Sequence, residues 1–150
     1  MTDSSHDITV LNSLITTTID SVDGYRSSAE AVENPLFAQQ FTSRASERSS
    51  VVEQLRAEVR RLGGNPEDDG SLLAGGHRAF LGLKSAVTGR DDKAIIVEVE
   101  RGEDHIKAKF ETALNDDALS PSTRSLVESA YGSVRGGHDE MSQLKHSLDA

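Results

Sequence analysis

Four long stretches of the sequence carry apolar residues at steps of three and four, and this period limits the fold more than any other feature. The spacing places the apolar side chains on one face of a helix, and no stretch alternates at period two for long. The sequence therefore predicts an all-α protein in which each long helix buries one face. The predicted inner residues are Ile8, Leu11, Ile15, Val22, Tyr25 and Ala29; Phe37, Phe41, Val51, Val52, Leu55, Val59 and Leu62; Ile95, Ile96, Val99, Gly102, Ile106, Phe110 and Ala113; and Leu126, Val127, Ala130, Val134, Met141, Leu144 and Leu148.

The boundaries of these helices are marked by residues that suit helix ends. Asn34-Pro35 and Ser120-Pro121 each place a capping residue before a proline, which is favoured at the first helical position. Gly63-Gly64-Asn65-Pro66 forms a C-terminal signal. We expect long helices over about 7–32, from Pro35 to Leu62, from Asp92 to about Leu114, and from Ser120-Pro121 onward.

A long connection separates the second and third of these helices. Ser71 can cap a shorter helix that reaches about Val87, and His77 is expected to pack this helix onto the rest. The other two connections are short, which predicts two antiparallel hairpins. The sequence thus predicts one domain over residues 1–150, a four-helix bundle with an extra short crossover helix, preceded by a flexible tail of residues 1–6.

Composition excludes several classes of function. The net charge of −9 disfavours a nucleic-acid partner, and the densest basic stretch, Arg56–Arg61, lies at a predicted helix C-terminus, where cations suit the helix dipole. There is no cysteine for a disulfide or a thiolate zinc site. No apolar run approaches the roughly 20 residues that span a bilayer, and the polar N-terminus lacks a secretory pattern. We predict a cytoplasmic protein that binds neither nucleic acid nor membrane.

Several short motifs occur in a specific order between Leu11-Asn12 and about His138. With the order of the helices, they make the chain similar to the ferritin-like superfamily, and more closely to a bacterial family of ferritin-like four-helix bundles classed as a domain of unknown function. That resemblance implies a ferritin-like fold and a link to stress physiology, without an assigned reaction. The motifs are Ala57–Pro66, His77-Arg78, Leu83–Ala86, Asp91–Ile95, Glu100–Asp104 and His138-Asp139.

The resemblance directs attention to metal ligands, because a ferritin-like di-iron site takes a Glu from each of two helices and a Glu-x-x-His from each of the other two. Thr18 stands where the first helix would supply its Glu. On the second helix, Glu47 is followed by Ser50, and Arg48 in the neighbouring register is followed by Val51. Neither pair is the motif, so these two helices offer no matching ligand.

The third and fourth helices each offer one candidate ligand. Glu103 lies on the apolar edge of the third helix, and His138 is expected to face inward on the fourth, although Arg135 occupies the place of the motif's Glu. We predict that Glu103 and His138 form a buried polar pair between these helices, because burial of either group alone is costly. The alternative is a degenerate metal or small-ligand site for iron or zinc, completed by Tyr25 or water.

Two further features bear on function. Gly136-Gly137 lies within the fourth helix, where glycine is unfavourable, and predicts the close approach of another helix from the same or a second chain. The alternative is a local kink that exposes His138. His105 and Lys109 are expected to face solvent.

The sequence offers no set of catalytic or cofactor-binding residues. We therefore predict a non-enzymatic, stress-associated bundle that self-associates through helix packing. The alternative is a metal-binding or iron-handling protein.

Overall fold

The computed structural model describes residues 4–67 and 92–149. Within these ranges it contains four helices and no strand: α1 (Ser5–Ala31), α2 (Pro35–Arg61), α3 (Asp92–Leu114) and α4 (Pro121–Asp149). The all-α prediction and the four long helices are confirmed, with helix ends close to those expected from the sequence. The predicted short helix from Ser71 to about Val87, with His77, lies outside the described residues.

The turn between α1 and α2 is fastened to the start of α3. The Asn34 side chain accepts a hydrogen bond from the Leu36 N–H at 2.9 Å, which caps α2 ahead of Pro35. The Asp92 carboxylate accepts from the backbone N–H groups of Glu33 and Asn34, both at 2.9 Å. The first residues of α2 and α3 therefore lie at the same end of the bundle.

At the opposite end of the bundle, two hydrogen bonds attach the segment that follows α2 to α1. The Asn12 side chain accepts from the Glu67 N–H at 2.9 Å and donates to the Asn65 carbonyl at 3.1 Å. Glu67 thus lies beside the first half of α1, whereas Asp92 lies beside the turn that follows α1. Because these two residues are at opposite ends, α2 and α3 run in the same direction, and each belongs to an antiparallel hairpin, as the sequence predicts.

The end of α2 depends on a glycine. Gly63 adopts a left-handed φ of +86°, a conformation that glycine accepts without a steric penalty. Its N–H donates to the Arg60 carbonyl at 3.0 Å, and the Gly64 N–H donates to the Val59 carbonyl at 2.9 Å. This paired arrangement is the Schellman motif, which satisfies the last carbonyls of the helix.

The predicted apolar stripes meet in one core. Each fully buried Leu, Ile or Phe contributes about 1.5–3 kcal/mol relative to an exposed position. Two predicted members do not belong to this core. Gly102 is exposed, and a Cβ there would meet open space. Leu126 is half-buried and is not among the residues packed against the core. None of the helices in the described ranges is long and apolar enough to cross a membrane. The largest fully buried apolar side chains are Phe41, Phe110, Leu11, Leu14, Ile15, Leu55, Ile95, Ile96, Ile106 and Met141.

Candidate functional site

A charged pair interrupts the apolar core in the middle of the bundle. Arg48 of α2 and Glu103 of α3 are 0% and 2% exposed. The Arg48 Nη1 donates to Glu103 Oε1 at 2.7 Å, and Nη2 donates to Oε2 at 2.5 Å. Two parallel bonds of this kind form the strongest arrangement available to a guanidinium and a carboxylate. The pair is the most polar feature of the core that the structure describes.

Helical spacing explains why both charges point inward. Arg48 is three residues after Ala45 and four before Val52, and both of these residues are buried. Glu103 is three residues before Ile106, which is 1% exposed. Residues three and four apart share one face of a helix, so each charged side chain is carried into the core by its apolar neighbours.

The other two helices complete the surroundings of the guanidinium. Nη1 of Arg48 also donates to Ser21 Oγ of α1 at 2.7 Å, and Nη2 reaches the Val134 carbonyl of α4 at 3.4 Å. The Tyr25 ring of α1 lies under the guanidinium, with its centroid 5.6 Å from the Arg48 Cζ, within the range of a cation–π contact. The other three described helices therefore all contribute contacts to the cation that α2 carries.

Gly137 of α4 provides the space for this pair. A Cβ at Gly137 would lie 2.7 Å from Glu103 Oε2 and would also overlap Arg48 Nη2. The adjacent Gly136 differs, because its nearest neighbour would be Arg44 Nη1 at an ordinary 3.8 Å. At Gly137 the neighbouring groups are thus two side chains of the same chain, and not the backbone of another helix as predicted.

Electrostatics fix the protonation states in the centre. Burial lowers the pKa of Arg48, but hydrogen bonds to Glu103 and its negative charge raise that pKa, and the net shift is upward. Burial, followed by the charge of Glu103, raises the pKa of Tyr25 well above its usual range. The Tyr25 hydroxyl makes no hydrogen bond of normal geometry within the described residues. At neutral pH Arg48 is charged and Tyr25 is protonated.

The predicted direct contact between Glu103 and His138 is wrong, because each residue has a different partner. Glu103 binds Arg48, whereas His138 Nε2 contacts Asp104 Oδ1 at 2.7 Å with 19% of its side chain exposed. The observed pair differs from the predicted one because the inward residue of α4 is Gly137, one position before His138, and because His138 contacts Asp104, one position after Glu103. Asp104 is exposed next to Glu103, and Gly137 takes the innermost position next to His138.

A metal ion bound to Glu103 would have to lie beside the positively charged Arg48, whose nitrogens already donate to both carboxylate oxygens. Across residues 4–67 and 92–149, no three His, Asp or Glu side chains are grouped closely enough to hold a metal ion. The surroundings of Glu103 therefore do not fit a di-iron centre. The assignment of iron or zinc to Glu103 and His138 stays a prediction.

The remaining positions considered as ligands have structural surroundings. Thr18 is fully buried, and its hydroxyl donates to the Leu14 carbonyl at 2.6 Å. Glu47 is exposed and pairs with Arg44 at 2.8 Å. Arg135 is exposed, and so are His105 and Lys109, as predicted for the latter two. Sequence reasoning missed Arg48 as an inward residue, although its apolar neighbours on the same face were a usable signal.

The contacts of His138 predict a pH dependence of stability. Burial lowers its pKa, but hydrogen bonds to Asp139 and Asp104 raise it, and the net pKa lies above the ordinary 6.5. The positive charge of Lys107 opposes this rise. A folded-state pKa above the unfolded value gives stability that is complete below about pH 6.5 and lost as the pH rises through the folded pKa.

We therefore expect wild type to lose about 0.5–1 kcal/mol relative to His138→Gln between about pH 6 and pH 8.5. Urea unfolding at each pH measures the difference. His105→Gln is the matched control, because this histidine is exposed, and its curve should follow wild type. Parallel curves for wild type and His138→Gln would show that the contact with Asp104 contributes nothing.

A groove of about 540 Å³ lies on the surface between α2 and α4. The Arg44 guanidinium on its wall donates to Glu140 at 3.0 Å, to Glu47 at 2.8 Å and to the Gly136 carbonyl at 3.3 Å. Leu36 is an exposed large apolar residue at the same place. The groove is lined by Leu36, Gln39, Gln40, Ser43, Arg44, Glu47 and Glu140.

Comparison with known proteins places this geometry in a family. Residues 6–116 match the family described as a domain of unknown function, DUF2383, which is well over half of the 150 residues. The chain belongs to the DUF2383 family. The DUF2383 match includes Arg48 and Glu103 and ends before α4, which carries Gly137 and His138. No curated protein shows significant similarity to the chain.

Proposed function

We propose that this DUF2383 chain is a non-enzymatic, ferritin-like bundle with a stress-associated, self-associating role. The observation that supports the proposal is the buried ion pair of Arg48 and Glu103. The two charged groups of the centre bind each other, and neither is left for a substrate. The parallel course of α2 and α3, with a single long connection between them, is the topology that ferritin-like bundles have. The link to stress rests on the sequence resemblance alone.

The chemistry of the centre favours a structural role over catalysis. A general acid or base must reach its substrate and exchange a proton near the working pH. Glu103 is enclosed and holds its partner with both oxygens, and Tyr25 keeps its proton because its pKa is raised. A small-molecule site also needs an accessible cleft, and the pair is almost completely buried.

The alternative is a metal-binding or iron-handling protein with a degenerate carboxylate–histidine site. The contact between His138 and Asp104 favours it, since imidazole and carboxylate are both ligands for zinc and iron. We expect elemental analysis of purified protein to give iron and zinc far below one equivalent per chain. Anaerobic titration with ferrous iron, followed by oxygen, is expected to show neither binding nor uptake. Stoichiometric metal that is lost in His138→Ala would establish the alternative instead.

Self-association is supported by the outer face of α4. Gly132 and Gly136 are exposed helical glycines, and a Cβ at Gly132 would meet open space. Helices approach closely where such small residues lie, so this face can receive a helix of a second copy. We expect the mass measured by gel filtration with light scattering to rise with protein concentration. A mass that stays at one chain up to high concentration would count against self-association.

A further inference from the structure

The centre of the bundle has the contacts of a binding site for a flat cation. Around the guanidinium lie a carboxylate from Glu103, a hydroxyl from Ser21, a carbonyl from Val134 and the ring of Tyr25. We propose that these groups form a guanidinium-binding site that the chain fills with its own Arg48. A free alkylguanidinium ion should occupy the site when that side chain is cut back.

The hydrogen-bond geometry selects a planar, forked donor. Both Glu103 oxygens accept from different nitrogens of Arg48, at 2.7 and 2.5 Å, which is the bidentate pairing of a forked guanidinium with a carboxylate. An ammonium ion is a compact charge without this fork, and it cannot satisfy both oxygens and the Ser21 hydroxyl in the same directions. The site therefore recognises shape as well as charge.

Gly137 contributes to the shape of the site from the fourth helix. Because a Cβ there would lie 2.7 Å from Glu103 Oε2, the helix backbone itself borders the ion pair. A flat group fits against such a wall, and the Val134 carbonyl accepts from its edge at 3.4 Å. The recognition elements therefore come from α1, α3 and α4, and only the cation comes from α2.

The inference rests on the proposed non-enzymatic role in taking Arg48 as the permanent occupant of the site. In this inference Arg48, and not a metal ion, supplies the positive charge that the buried Glu103 carboxylate needs. The two ideas fail separately, because the proposed function is tested by the metal content and oxygen uptake of wild type. The guanidinium site is tested on a variant in which Arg48 is shortened.

The experiment uses Arg48→Ala and millimolar ethylguanidinium chloride, which replaces the atoms that the substitution removes beyond Cβ. We expect a saturable rise in the melting temperature of Arg48→Ala and no rise for wild type. Ethylammonium chloride is the control for charge without the fork, and Arg48→Ala/Glu103→Gln is the control for the carboxylate. Neither control should show the rise. An equal rise with ethylammonium, with magnesium or calcium chloride, or in the double variant would overturn the proposal.

If Arg48→Ala does not fold alone, recovery of its helical circular dichroism on adding ethylguanidinium becomes the measurement. Wild type supplies an independent one: NMR with ¹⁵N-labelled arginine should show one guanidinium with separate, slowly exchanging Nη–H signals. Those signals should be absent in Arg48→Lys. Failure of recovery, or uniformly fast exchange of all arginine Nη–H groups in wild type, would contradict a closed guanidinium site.

Discussion

Replacing Arg48 with methionine is expected to lower the free energy of unfolding by about 3–5 kcal/mol, the usual cost of stranding one member of a buried ion pair. Methionine fills much of the same space, so a cavity is not the main cause. The loss arises because Glu103, 2% exposed, is left buried without its cationic partner and without access to water. Since small domains have only about 5–15 kcal/mol of stability in total, the change should be obvious in urea unfolding.

The decisive measurement is a double-mutant cycle with Glu103→Leu. The double variant Arg48→Met/Glu103→Leu leaves no charge in the centre, and we expect it to recover most of the stability lost in either single variant. The exposed pair of Arg101 and Glu98, 2.8 Å apart, is the control, and its cycle should give less than about 1 kcal/mol. Additive losses in the Arg48 and Glu103 cycle would show that the two side chains are not coupled.

Gly137→Ala is expected to produce the second large effect. Alanine normally stabilises a helix by up to about 1 kcal/mol over glycine. At this position the added methyl group would overlap Arg48 Nη2 and Glu103 Oε2. Forcing atoms into a filled core costs about 1–3 kcal/mol. Separating the charges instead costs about 3–5 kcal/mol. We expect the charges to separate, which after the helix gain leaves a net loss of about 2–4 kcal/mol by thermal or urea unfolding.

Neighbouring glycines on the same helix provide matched controls. A Cβ at Gly136 would meet only Arg44 Nη1 at 3.8 Å, and one at Gly132 would meet no atom within 4 Å. Gly136→Ala and Gly132→Ala should therefore gain up to about 1 kcal/mol from helix propensity. If Gly137→Ala behaved like these two, the ion pair would not occupy the space beside α4.

Much of the fold was predictable because its signals are local. Asn34-Pro35 predicts the start of α2, and the Asn34 side chain does cap it. Gly63-Gly64 predicts its end, and Gly63 does take the left-handed conformation. The apolar stripes predict which faces are buried, since a period of three and four residues belongs to each helix alone. The error at Gly102 arose because glycine adds no apolar side chain to the pattern.

The composition of the polar centre was only half predictable. The apolar edge of α3 correctly indicates that Glu103 is buried, because its neighbours on one helix decide that. Its partner depends on how α2, α3 and α4 are rotated against one another, and a rotation of one residue exchanges His138 for Gly137 as the inward residue. The position of Arg48 between Ala45 and Val52 was a local signal. That the two charges meet is a property of the packing between helices.

The ion pair also fixes the position of α2 relative to α3 along the axis of the bundle. These two helices lie diagonally across the bundle, and each packs mainly on α1 and α4. Their inward apolar residues repeat with every turn, so a slide of about 5.4 Å would still leave apolar side chains in the core. The same slide would part Arg48 from Glu103 and leave two buried charges unsatisfied. Every misaligned packing thus carries a penalty that the native alignment avoids, whatever the net worth of the pair. We expect these two side chains to favour the native alignment of the helices over arrangements that are shifted by a turn.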